Sequence, residues 1–64
     1  MNSVAEVLPG INRNCVIKCK SSLSHYDGMI FKFVTYSDGT GYFWDNGFEI
    51  LQDTEVTHWE YSPL

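Results

Sequence analysis

The sequence predicts a mainly β fold: a small antiparallel meander or SH3-like barrel of about five strands, with one short amino-terminal helical turn, in a single domain spanning residues 1–64. Three observations carry this. Runs rich in β-branched and aromatic residues alternate with clusters of Gly, Asp and Asn. "MIFKFVTY" at 29–36 alternates with period 2, placing Met29, Phe31 and Phe33 on one side and Ile30, Lys32, Val34 and Tyr36 on the other. "WDNGFE" sets Asn46-Gly47 between two apolar-aromatic runs, a strong short-range hairpin signal.

Taken in order, "SVAEVLPG" has Ser3 followed three residues later by Glu6, the capping-box spacing, and stops at Pro9-Gly10, which allows one helical turn. Strands are expected over 14–20, 29–36, 41–45, 48–52 and 56–61. "SHYDGM" turns the chain into the second of these, and "YSDGTGY" is a longer glycine-containing hairpin loop. A two-residue Asn46-Gly47 turn pairs Asp45 with Phe48, so that Phe43, Asp45, Phe48 and Ile50 share one face and Tyr42, Trp44, Glu49 and Leu51 the other; a longer loop inverts that register. In the last strand Thr57, Trp59 and Tyr61 oppose Val56, His58 and Glu60. Trp59 and Tyr61 are expected to close the core beside Val4, Val7 and Leu8 of the amino-terminal turn. Several strands are apolar on both sides, which calls for a strongly bent sheet closing on itself or a second face that meets a partner.

Sixty-four residues with 44% hydrophobic and 16% aromatic content supply one core, with a thin margin that a staple would widen. Cys15 and Cys19 lie four apart on a strand, about 13 Å, beyond the roughly 7 Å that a disulfide tolerates. Together with His25 and His58 they offer four zinc-type donors, but the C-x3-C spacing on a strand is a poor match to paired ligands on turns. Two free thiols packed as small core residues are the better reading, and no metal or cofactor is expected. Self-association is left as the staple, giving a homo-oligomer. The opening "MNSVAEV" has no basic region leading into an apolar run, and no stretch approaches the roughly 20 apolar residues of a membrane span, so a cytoplasmic setting without a membrane partner is expected.

Charge divides by halves. Residues 1–32 carry Arg13, Lys18, Lys20 and Lys32 against Glu6 and Asp27, a net +2, whereas residues 33–64 carry Asp38, Asp45, Glu49, Asp53, Glu55 and Glu60 without a cation, a net −6. The acidic half repels a phosphate backbone and disfavours nucleic acid. It attracts a basic protein surface, or serves only as a solvated face that keeps the chain soluble.

Two segments resemble a family of short uncharacterised proteins, a domain of unknown function found mostly in bacteriophages and prophages. "SVAEVLP" at 3–9 is similar to its amino-terminal SV-x-[DE]-x-LP, with "CVI" at 15–17 in the position of a following β run, and "VTHW" at 56–59 is similar to its carboxy-terminal motif. The resemblance covers about 20 positions at the two ends. The family tail is richer in proline than "EYSPL", and a tryptophan often precedes the "SV" where this chain has Met1-Asn2. The resemblance implies a phage accessory setting inside a host bacterium, and it brings no catalytic residues.

No nucleophile elbow, phosphate-cradling glycine loop or HExxH motif occurs, so an enzyme is not expected. Binding suits the residue types better. Tyr36, Tyr42 and Trp44 are of the kinds that anchor interfaces, with Glu49 on their side, Asp38, Asp45 and Glu55 as rim charges, and His58 as a further contact. The competing reading makes this the inner face and Trp44 core. The expected function is a phage-encoded protein that binds and inhibits a host bacterial protein with a basic surface, a component of antiphage immunity. The alternatives are a nucleotide-sequestering protein using Arg13, Lys18, Lys20 or Lys32, and a structural or regulatory phage component.

Overall fold

The computed structural model describes all 64 residues and has the mainly β fold. Six strands, β1 (Asn2–Ser3), β2 (Asn14–Cys19), β3 (Ile30–Thr35), β4 (Gly41–Trp44), β5 (Ile50–Gln52) and β6 (Val56–Tyr61), form one antiparallel sheet in the order β1-β6-β2-β3-β4-β5. Strands β2 to β5 are a meander. The chain then turns through Gln52–Glu55, where Glu55 N donates to Gln52 O over 2.9 Å, and β6 crosses back to lie between β1 and β2. The sheet is open at β1 and β5, yet its extents are 29 × 24 × 24 Å, so it curls in a barrel-like way around one core.

Alternation selects that core. Cys15, Ile17 and Cys19 of β2, Phe31 and Phe33 of β3, Phe43 of β4, Leu51 of β5 and Val56 and Trp59 of β6 are buried together. They meet in cross-strand rows, Cys15 opposite Phe31, Phe33 opposite Phe43, Phe43 opposite Leu51 and Ile17 opposite Trp59. The Phe33 and Phe43 rings lie 5.2 Å apart. Gly41 is required beside them, because a Cβ there would collide with the Phe33 ring. Both thiols are free and buried, as their spacing predicts.

Trp59 closes the core. Its indole Nε1 donates to Val7 O over 2.9 Å, and Asn2 is its backbone partner on β1, so the amino-terminal turn is strapped across the last strand. Val4 packs on the core from that turn, but Val7 and Leu8 stay largely exposed, unlike the covered positions expected for them. Tyr61 is anchored by Gly10 N, which donates to its hydroxyl over 2.8 Å, and by the Arg13 guanidinium 3.5 Å above its ring.

The structure revises four expectations. Asn2–Ser3 forms a sixth, edge strand. The turn after it is held by Glu6 N and Val7 N donating to Ser3 O, both over 3.0 Å, while the 3₁₀ helix lies at Ser21–Tyr26, where only a turn into β3 is predicted. The Asn46-Gly47 turn is not the two-residue type: Asn46 alone has positive φ, 69°, and Asp45 Oδ1 accepts from Gly47 N at 2.7 Å and Glu49 N at 3.2 Å. This carboxylate-organised loop shifts β5 by one residue, pairing Phe43 with Leu51 and Trp44 with Ile50, so Leu51 enters the core and Ile50 leaves it. Finally, β6 carries a bulge. Lys18 pairs with His58 and Cys19 with Val56, leaving Thr57 as the extra residue, which lets Val56 and Trp59 both face inward.

Candidate functional site

The opposite side of the sheet is partly open to water: its residues are half-buried, and Ile50 at the β5 edge is exposed. Val16 of β2, Ile30, Lys32 and Val34 of β3, Tyr42 and Trp44 of β4 and Ile50 of β5 occupy its outward positions. Cross-strand pairing joins them into a continuous surface, with Val16 opposite Ile30, Lys32 opposite Trp44, Val34 opposite Tyr42 and Trp44 opposite Ile50. Tyr36, just beyond β3, stacks on Tyr42 with ring centroids 4.4 Å apart. At the β4–β5 end, Phe48 is fully exposed in the loop.

Local hydrogen bonds hold this face in shape. Trp44 Nε1 donates to Gly47 O over 2.9 Å, which lays the indole against its own hairpin loop and fixes a large apolar surface beside Ile50. At the other end of β4, Asp38 Oδ1 accepts from Thr40 N at 3.0 Å and Thr40 Oγ1 at 2.7 Å. Those two bonds, the backbone one first, hold the Asp38 carboxyl below its ordinary range, so the charge at this loop is firmly in place. Gly39 takes the left-handed φ of 91° that the tight loop demands.

The eight sequence-derived binding candidates do not form one surface. Tyr36, Tyr42 and Trp44 come together on the outer face, with Asp38 and Asp45 in the loops at the two ends of β4. Glu49 does not join them. The register shift removes it, and Tyr26, which packs on the core from the 3₁₀ helix, donates its hydroxyl to Glu49 Oε2 over 3.1 Å. Burial first, and that carboxylate second, push the Tyr26 phenol above its usual range. Glu55 is also apart: its Oε1 accepts from Gln52 N over 2.8 Å and caps the β5–β6 turn. His58 lies on β6 opposite Lys18, with Ser3 as its β1 partner. The face thus contains residues that the sequence reading did not single out as binding positions. Alternation already put Ile30 and Val34 there, whereas Phe48 and Ile50 depend on the loop that Asp45 organises.

The reactive residue types are dispersed. Cys15 and Cys19 point into the core and His58 does not, and no three His, Cys, Asp or Glu side chains converge as a metal site would require. Burial pushes the Cys15 thiol up despite the nearby Arg13 charge. Burial, then the Asp27 and Glu55 charges, push Cys19 up to about 11. Both are protonated at neutral pH and carry no thiolate character. No helix is long and apolar enough to cross a membrane.

What the outer face can do is bury apolar area against another molecule while its Tyr hydroxyls and the Lys32 ammonium satisfy polar groups at the contact. Compared with family models, curated proteins and solved structures, the chain matches none.

Proposed function

We propose that this chain is a non-enzymatic binding protein that inhibits a host protein by covering part of its surface. The observation that carries the reading is the aromatic and aliphatic outer face built on Tyr36, Tyr42, Trp44 and Ile50, of which Tyr36 and Ile50 are exposed and Tyr42 and Trp44 half-buried. Contiguous apolar surface that keeps partial contact with water suits an interaction site, and Tyr and Trp are the side chains that dominate such sites. The acidic residue Asp38, in the loop beside Tyr36, favours a partner with a basic surface.

The setting within this proposal, a phage product acting on a component of antiphage immunity in the cytoplasm of its host, rests on the motif resemblance at the two ends of the chain. Self-association belongs to the same reading, because the exposed edge of β5 beside Phe48 and Ile50 can pair with a second copy.

Tagged protein recovered gently from a susceptible bacterium is expected to retain one host protein in stoichiometric amount. Trp44→Ala and Tyr42→Ala should lose it while the amide spectrum stays folded, and Glu49→Ala should keep it. Release of a small phosphorylated ligand on denaturation, lost in Lys18→Ala or Lys20→Ala, would instead make the chain a nucleotide-sequestering protein. Retention of neither across hosts with different defence systems would overturn inhibition in favour of a structural phage role. A strictly monomeric mass by light scattering at high micromolar concentration and low salt would remove self-association.

A further inference from the structure

Away from the aromatic surface, at the β1 edge of the sheet, the amino-terminal turn and the β5–β6 turn enclose a groove of about 510 Å³. Val4, Ala5 and Val56 supply its apolar lining, and Asp53, Thr54 and His58 are among its polar positions. In strand order, β2 and β3 separate β6 from the β4 aromatics, so this is a different place from the outer-face patch.

The hydrogen bonds of β6 fix the chemistry of His58. Thr57 Oγ1 donates to Lys18 O over 3.0 Å and so spends its only proton. It also lies 3.0 Å from His58 Nδ1, a contact best satisfied when the ring proton sits on Nδ1 and Thr57 Oγ1 accepts it. In the neutral imidazole this leaves Nε2 as a bare acceptor. His58 and the carboxylate-bearing Asp53 are thus both among the residues that line the groove, beside Val4 and Ala5. Lys18, the cross-strand neighbour of His58, is not among the lining residues, and the groove itself contains no Lys or Arg.

We infer that this groove takes a cationic side chain, an arginine or lysine presented by a protein partner. Its stem would lie along Val4, Ala5 and Val56 and its head would donate to Asp53 and His58 Nε2. Long basic side chains have this division between apolar stem and charged head, and a charge-assisted bond to a carboxylate is the strong kind. Around the groove, Glu6 beyond Ala5 and Glu55 beyond Thr54 are offset by Lys18 opposite His58 and by Lys20, whose backbone N donates to Glu55 O over 3.1 Å, so the preference for a cation rests on Asp53 within the lining. The assignment rests on the binding reading above for the partner being a protein, but the groove's preference for a cation does not depend on the outer face.

The test uses the whole chain and defined probes. Long-range nitrogen–proton correlation spectra at neutral pH should show His58 as the Nδ1–H tautomer; an Nε2–H ring would overturn the site. Titration with acetyl-Gly-Arg-Gly-amide should shift the Ala5, Thr54, Thr57 and His58 signals saturably. The citrulline analogue, of the same shape without the charge, should bind at least about tenfold more weakly, as should the arginine peptide to Asp53→Asn, consistent with loss of a charged hydrogen bond. Trp44→Ala should leave this titration unchanged, which separates failure of the groove from failure of the outer-face reading. Equal binding of the citrulline peptide, or shifts spread over the acidic loops and unaffected by Asp53→Asn, would overturn the inference. Putrescine binding more tightly than the peptide would overturn the protein side chain as occupant and make a free amine the ligand.

Discussion

On one face of the sheet Cys15, Ile17, Phe31, Phe33, Phe43, Leu51 and Trp59 are withdrawn from water, while on the other Val16, Ile30, Val34, Tyr42, Trp44 and Ile50 remain in contact with it. Both sets arise from the same alternation on the same strands, so apolar content alone does not decide which face becomes the interior. Two differences do. The inner face is concave and shut by the strapped amino-terminal turn, with a bulge that adds Val56 to Trp59. The aromatic types differ as well: the buried core uses three phenylalanines and Trp59, with Tyr26 packed against it, whereas the outer face uses Tyr36, Tyr42 and Trp44, which tolerate water at one end; both indoles donate their N–H to a backbone carbonyl. A face meant to be wet part of the time needs such polar handles.

The comparison can be broken most severely at Trp59. Trp59→Ala empties the closing position and is expected to cost about 3–5 kcal/mol, enough to unfold a domain of this size. Its melting temperature checks this, and an unchanged value would mean that the inner face is not closed by β6. Gly41→Ala attacks the same face by overfilling it against Phe33 and should cost about 1–3 kcal/mol in urea denaturation. Trp44→Ala is the outer-face counterpart. It removes one hydrogen bond to Gly47 O and should cost about 1 kcal/mol or less, while weakening partner retention by at least about tenfold. A loss as large as that of Trp59→Ala would erase the distinction between the faces.

Alkaline pH gives a subtler contrast. Cys19 is pushed from 9.0 to about 11 in the folded chain, so as pH rises through that interval the unfolded state releases a proton that the native state keeps. Its contribution is therefore complete below pH 9 and is lost as pH approaches 11. Stability measured across this window should fall, and Cys19→Ala should flatten the decline; an identical slope in the variant would assign the effect to tyrosines instead.

Much of this architecture is legible in the chain. Alternation places Phe31 and Phe33 opposite Ile30 and Val34, and the turn residues locate every hairpin. What alternation cannot reveal is a break in its own period. The Asp45 carboxylate lengthens a loop that Asn46-Gly47 makes look minimal, and Thr57 inserts one residue into β6; each depends on a hydrogen bond rather than on hydrophobic pattern. The binding candidates follow the same rule. Tyr36, Tyr42 and Trp44 are found together because period 2 governs them, while Glu49 is misplaced by the slipped register. The His58 groove leaves no trace in local sequence, since it joins positions 3–5 to 53–58.

The position of β6 has a consequence in time. Residues 56–61 occupy an interior position of the sheet next to its β1 edge, between a strand begun at residue 2 and one ending at residue 19, and Asn2 meets Trp59 across 57 positions. A ribosome adding about 5–20 residues per second makes the meander first, and until Trp59 emerges both of its faces lie open. A chain that lacks Trp59 therefore keeps both faces of the meander accessible, and the docking of one strand between two others is the step that turns a two-sided apolar ribbon into a closed core.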